Sequence, residues 1–294
     1  MTEKKLDFTI KEDGFHAKLC ECDNMNNPCP NKILIICSGS EGDFELTKTS
    51  SQNICKNGIN TLALGYFNVP DAPNCLNKVP IDYVGKAATY LKSIGYEKIG
   101  IWGISMGSIY ALTSASYFPD LISLVFAASP NYFVVEAMNS SKSRSLKASI
   151  FSYKGEEIPY EPYPVTMNLF KNYYHTLLSL EPNFSYLYND MMGKVAEEHI
   201  IPVEKMKARL VLFSGKLDVL WPSNQGSKLI MERLKKKNYA YPYEHIECEY
   251  GGHLMVPFTT RLDKLMKANR QYPKETEQYR QNHLNKLIET YKEW

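Results

Sequence analysis

Apolar residues fall along this chain in short unbroken runs separated by polar, helix-like stretches. KILIICS (32–38), TLALGYF (61–67), KIGIWGI (98–104), LISLVFAAS (121–129) and ARLVLFSG (208–215) are each of strand length. Continuous apolar strands suit a parallel sheet that is covered on both faces. PYEHIECEY (242–250) alternates in part, which predicts a strand nearer a sheet edge. At the start, LDFTI and FHAKLCE flank KEDG, whose Asp-Gly pair predicts a hairpin over about 6–22.

Between these runs the period becomes helical. PIDYVGKAATYLKSIG sets Tyr83, Val84, Ala87, Ala88 and Leu91 on one face, with Pro80 in the first turn and Gly95 as the cap. NQGSKLIMERLKKKN and TTRLDKLMKANRQ predict further amphipathic helices. The tail KETEQYRQNHLNKLIETYKEW predicts a solvated terminal helix without chemistry. Strand-helix alternation predicts a doubly wound α/β sheet, whose sites lie at the carboxyl ends of its strands. Residues 131–200 break the rhythm with SSKSRSLKASIFSYKGEEIPYEPYPVTM, which predicts a long irregular insertion acting as a lid or binding segment. The whole chain, 1–294, reads as a single α/β domain with that insertion.

Composition narrows the function classes. The chain has 294 residues, 44% hydrophobic and 22% charged, ordinary for a globular protein. A net charge of +2 gives no general pull toward nucleic acid or anionic membrane. No stretch reaches the roughly 20 apolar residues of a membrane span. The charged start, MTEKKLDFTIKEDGFHAK, has no apolar core of a secretory signal. Seven cysteines without such a signal point to a reducing compartment, the cytoplasm, and not to a disulfide scaffold. Cys20, Cys22 and Cys29 lie near His16, but their spacing fits no zinc pattern, and FHAKLCECD reads more simply as a strand. No metal and no cofactor are expected.

IWGISMGSIYAL (101–112) holds Gly-x-Ser-x-Gly between a buried strand and a helix start. A nucleophile elbow needs that arrangement, because its serine sits in a strained strand-to-helix turn flanked by small residues. A serine hydroxyl also needs a base, and the base an orienting acid. In this fold the order along the chain is serine, acid, histidine. Asp218 follows the strand in LVLFSGKLDVLWPS, and His253 follows the last strand in IECEYGGHLMVPF. Ser105 is therefore the expected nucleophile, His253 the general base and then acid, and Asp218 the group that holds the imidazole. His245 falls inside a strand and His199 inside the insertion, while His16 and His175 violate the order. Asp190 and Asp263 read as surface carboxylates on helices. The oxyanion donors are expected to be the Met106 amide and, from the loop CSGSEGDFE, the Ser40 amide, with Glu41 as the next candidate.

These residues together resemble the catalytic domain shared by acyl-CoA thioesterases and bile acid-CoA:amino acid N-acyltransferases, a branch of the α/β-hydrolase fold near dienelactone hydrolases. GINTLALGYFN, IGIWGISMGS, FSYKGEEIPY, IPVEKMKARLVLFSGKLDVLWPS and GGHLMVPF carry the resemblance, in the family's order and across most of the chain. It implies the triad Ser105, Asp218 and His253, and makes Trp221 and Ser223 supports of the acid loop. Three departures stand out. Only a short hairpin precedes the first core strand, where animal members have a β-sandwich. The glycine-rich run of the family is here GSEGDFE, which keeps Glu45. Acyltransferase members use cysteine where this chain has Ser105, and serine favours transfer to water. The sequence thus points to a serine hydrolase of an acyl thioester or ester, foremost an acyl-CoA thioesterase-like enzyme. A carboxylesterase or lactonase, an N-acyltransferase and a non-catalytic pseudo-hydrolase are the alternatives. A CoA phosphate could be met by the basic cluster SSKSRSLKAS (140–149).

Overall fold

A computed structural model describes residues 5–22, 29–139, 144–164 and 169–294. Its main sheet has eight strands: β1 (Asp7–Phe8), β2 (His16–Cys20), β3 (Lys32–Cys37), β4 (Thr61–Gly65), β5 (Lys98–Ile104), β6 (Leu124–Ala128), β7 (Arg209–Gly215) and β8 (Tyr243–Cys248). Their order is β1-β2-β4-β3-β5-β6-β7-β8. The first two pairings are antiparallel and the remaining five parallel. The unbroken apolar runs are the central strands, and the partly alternating one, β8, lies at an edge.

Alternate residues of each central strand feed two cores. Ile33, Ile35, Ile99, Ile101, Leu210 and Leu212 face one side, with helices α2 (Asp82–Ser93), α3 (Met106–Tyr117) and α4 (Ser223–Lys236). Leu34, Ile36, Trp102, Phe126, Val211 and Phe213 face the other, with α1 (Phe44–Cys55) and α5 (Pro273–Glu293). This period-two partition is why each strand had to be apolar throughout.

Four sequence expectations need correction. β1 and β2 do pair antiparallel, but a helical turn, Ile10–Asp13, joins them instead of an Asp-Gly turn. Thr9 caps that turn by accepting the Glu12 amide, and Gly14 closes it at φ 79°. Pro80 belongs to a two-residue strand, Val79–Pro80, so α2 starts after it. TTRLDKLMKANRQ is broken at Met266, whose extended backbone separates a 3₁₀ turn (Arg261–Leu265) from a short helix (Lys267–Gln271). The tail is not a solvated helix. His283, Leu287, Thr290 and Tyr291 of α5 are buried against the sheet, and Lys32 Nζ donates to the Tyr291 and Lys292 carbonyls at its C-terminal end.

The insertion is also more regular than expected. It contains an antiparallel pair, Glu136–Asn139 with Arg144–Ser149, a strand Phe151–Tyr153 joined to Val79–Pro80, and helices Leu169–Ser179 and Ser185–Met191. Residues 140–143 of the basic cluster lie outside the described residues, and Lys147 within it is exposed.

Candidate active site

Ser105 stands between β5 and α3 at φ 56° and ψ −123°, a region that non-glycine residues rarely occupy. Its flanking glycines are required by contact. A Cβ on Gly103 would lie 2.2 Å from the Gly107 carbonyl oxygen, and one on Gly107 would lie 2.2 Å from that of Ser38. Backbone, not a movable side chain, fills both places, so the turn closes only with hydrogen at each. The Ser105 amide donates to the Ala128 carbonyl, and the Ser108 hydroxyl donates to the Ser105 carbonyl, which fixes the elbow to β6 and to its own helix.

Asp218 and His253 reach the same point from the ends of β7 and β8. The Leu217 amide donates to the Gly251 carbonyl, and Gly215 packs so tightly on Gly251 that a Cβ there would sit 2.1 Å from that oxygen. The two loops are thereby locked to each other. His253 Nε2 lies 2.8 Å from Ser105 Oγ, and His253 Nδ1 lies 2.9 Å from Asp218 Oδ2. A carboxylate only accepts, so Nδ1 carries the ring proton and Nε2 is free to accept from the serine. All three residues are buried.

Asp218 is held by more than the histidine. The Leu220 amide donates to its Oδ1 at 3.0 Å, and the Ser223 hydroxyl donates to Oδ2 at 2.6 Å. Trp221 stands edge-on to the His253 ring with centroids 5.1 Å apart, and its Nε1 donates to the Ser129 carbonyl. The Ser129 hydroxyl in turn donates to the His253 carbonyl at 2.6 Å. Sequence reasoning missed Ser129, which sits at φ 48° directly after β6. Its only sequence signal is its place at a strand's carboxyl end.

The other titratable candidates go elsewhere. His245 Nε2 meets Ser214 Oγ, His199 Nδ1 meets Glu161, His16 packs edge-on to Phe44, and His175 stacks on Tyr186. Asp263 caps the 3₁₀ turn after Thr260. Glu45 pairs with Lys48 at the start of α1 and does not line the cavity at Ser105. Cys55 Sγ lies 3.8 Å from Cys22 Sγ, and all seven cysteines are free thiols. Among the described residues, no group of three or more His, Cys, Asp or Glu could hold a metal ion.

Neither the Met106 nor the Ser40 amide donates to a described residue, whereas the Gly39 amide, next to Ser40, donates to Glu41 Oε1 at 3.0 Å. Both free amides border a cavity of about 540 Å³ that opens at Ser105. Its walls are largely apolar and aromatic, with Phe67, Phe184, Leu187, Tyr188 and Trp221 among them, and the insertion supplies its roof. Among the described residues, two carboxylates, Glu41 and Glu136, line it, and no Lys or Arg does. Such a cavity can receive an acyl chain beside a nucleophile. Among the described residues, no helix is long and apolar enough to cross a membrane.

Comparisons with known proteins bear on the fold and on the family. At the level of fold, a deep-sea metagenome α/β-hydrolase enzyme, MGS-M1, superposes with TM-score 0.54 at 14% identity, covering 98% of this chain and 97% of that one. A Klebsiella pneumoniae structure assigned as a dienelactone hydrolase superposes with TM-score 0.53 at 12% identity, covering 94% and 92%. The fold is that of an α/β hydrolase. Among curated proteins, the mouse peroxisomal succinyl-coenzyme A thioesterase is 25% identical over 207 residues, which are 69% of this chain and 44% of the relative. Mouse acyl-coenzyme A thioesterase 1 is 28% identical over 216 residues, 68% and 46%. Mouse acyl-coenzyme A amino acid N-acyltransferase 2 is 24% identical over 213 residues, 69% and 44%. The matched stretch is thus under half of each relative's length. The family described as BAAT / Acyl-CoA thioester hydrolase C terminal matches residues 79–267, and with that span, from before the elbow to beyond His253, the chain belongs to this family.

Proposed function

We propose that the chain is a serine hydrolase that cleaves an acyl thioester through an acyl-enzyme, with an acyl-CoA as the first substrate to test. One observation carries this reading: the hydrogen-bonded relay from Asp218 through His253 to Ser105, ending at an apolar cavity, in a chain of this family. Ser105 Oγ attacks the acyl carbonyl while His253 Nε2 takes its proton. Asp218 holds the Nδ1–H and favours the imidazolium that forms. The carbonyl oxygen becomes an oxyanion that the Met106 and Ser40 amides receive, helped by the positive end of α3. Collapse breaks the carbon–sulfur bond, and His253 returns the proton to the leaving thiolate. Water then repeats the attack on the Ser105 ester with His253 as base, releasing the acid.

We treat residues 1–294 as one catalytic unit and the cytoplasm as its compartment, the latter on its seven free thiols. A carboxylesterase or lactonase is the second reading, favoured because no Lys or Arg is among the described residues of the cavity lining, while CoA phosphates attract cations. Acyl transfer to an amine is the third, because one relative is named as an N-acyltransferase. A pseudo-hydrolase would have no need of an intact relay. Steady-state turnover of acyl-CoAs and matched p-nitrophenyl esters by wild type and Ser105→Ala separates these. Thioester turnover lost in Ser105→Ala supports the proposal, ester turnover alone supports the second reading, and activity that survives the substitution refutes the mechanism. Glycine or taurine added to the assay reveals transfer by yielding an amide.

A further inference from the structure

The catalytic histidine is the first ring of an aromatic wall. Trp221 stands 5.1 Å from His253 between centroids, Tyr188 stands 5.5 Å from Trp221, and Tyr163 stands 6.5 Å from Tyr188. Trp221, Tyr188 and Tyr163 all line the cavity. The wall ends at Glu136, because the Tyr163 amide donates to Glu136 Oε2 at 2.8 Å. Glu136 also lines the cavity and is only 4% exposed. The Ser145 hydroxyl donates to its other oxygen.

Those two donors orient the carboxylate but are neutral, and among the described residues Glu136 forms no ion pair. A buried carboxylate without a counter-charge is unfavourable unless something supplies one. Aromatic faces attract the same kind of partner, since their electron-rich surfaces bind ammonium groups. Among the described residues, the lining adds a second carboxylate, Glu41, and no Lys, Arg or His. Carboxylate and rings together select for positive charge on whatever enters.

We propose that Glu136 determines specificity at the far end of the acyl pocket, where it receives a cationic, ammonium-bearing terminus of the acyl group. This rests on the acyl-enzyme reading above, in which the cavity holds the acyl chain. The pocket then ranks acyl groups as cationic above neutral above anionic, so a dicarboxylic acyl group is the poorest fit.

Two thioesters of N-acetylcysteamine isolate this effect, because that leaving group is uncharged. The 4-(trimethylammonio)butanoyl and 5,5-dimethylhexanoyl groups are isosteric, with nitrogen replaced by carbon, and a glutaryl thioester supplies the anion. Wild type is expected to favour the cationic over the neutral thioester by about 10-fold or more in kcat/KM. The glutaryl ester should fall below both. In Glu136→Gln, whose amide oxygen can still accept the Tyr163 amide, the cationic preference should shrink to within about 3-fold. A wild-type ratio at or below one overturns the proposal, and so does a preference that persists in a Glu136→Gln protein with native circular dichroism. The wild-type ratio decides the matter even if Glu136→Gln does not fold. If wild type hydrolyses none of the three, the hydrolase reading is decided by the acyl-CoA and p-nitrophenyl ester panel above, and calorimetry tests the pocket separately. Tighter binding of 4-(trimethylammonio)butanamide than of 5,5-dimethylhexanamide then upholds it, and equal or inverted affinities overturn it.

Discussion

Between neutral pH and pH 4 the terminal helix α5 should lose much of its hold on the sheet through one residue, His283. The imidazole is fully buried, with Nδ1 donating to the Met255 carbonyl at 3.0 Å and Nε2 accepting from Trp102 Nε1 at 3.1 Å. It stacks on Phe213 with centroids 4.0 Å apart. A second ring proton would have to point at the Trp102 N–H and leave a charge among aromatic rings. Burial accordingly pushes its pKa down to about 3. In the unfolded chain the value is about 6.5. Above pH 6.5 both states are neutral and the stability is fully present. Below it only the unfolded chain takes the proton, so stability falls by about 1.4 kcal/mol per pH unit until pH approaches 3. From pH 7 to pH 4 the loss is about 3 kcal/mol, a large part of the ~5–15 kcal/mol that holds a typical domain. Urea unfolding from pH 4 to 7.5 measures this in wild type and in His283→Gln, whose amide can accept from Trp102 and donate to Met255 without titrating. The difference between the two proteins should narrow by about 3 kcal/mol on acidification. Parallel curves for both proteins would refute the reasoning.

Other perturbations test the site. Ser105→Ala should lower kcat by about 10⁴-fold or more while circular dichroism stays native, since it removes only the oxygen proposed to attack. Ser223→Ala removes the 2.6 Å hydrogen bond to Asp218 and should lower kcat by about 10-fold with little change in KM. An unchanged kcat there would show that the remaining bonds to Asp218 suffice. Gly107→Ala places a methyl group 2.2 Å from the Ser38 carbonyl, and thermal denaturation should show a loss of at least about 3 kcal/mol or no folded protein.

Much of the site was legible because its requirements are local. The elbow needs a small residue, a serine and another small residue between strand and helix, and 103–107 state this directly. Asp218 and His253, which the structure brings to Ser105, stand out because each follows an apolar run in the order the fold demands. The hairpin turn and the helix near 265 were misread for local reasons too. Thr9 offered a cap that the Asp-Gly signal concealed, and Met266 takes an extended backbone that ends one helical pattern and starts another.

Ser129, Glu136 and His283 were not legible, and for a shared reason. Ser129 matters because its hydroxyl meets a carbonyl 124 positions later, and Trp221 is tied back to Ser129 across 92. Glu136 reads in sequence as one more polar residue of an irregular insertion, and only the cavity gives it a place. His283 lies in a strongly polar helix, and a separation of 181 positions from Trp102 hides the hydrogen bond that buries it. The sequence by itself determined the strands, the elbow and the order of Ser105, Asp218 and His253, because period and steric need act over a few residues. The tertiary structure alone decided which polar side chains meet, since hydrogen bonds and burial form between segments whose separation along the chain carries no signal.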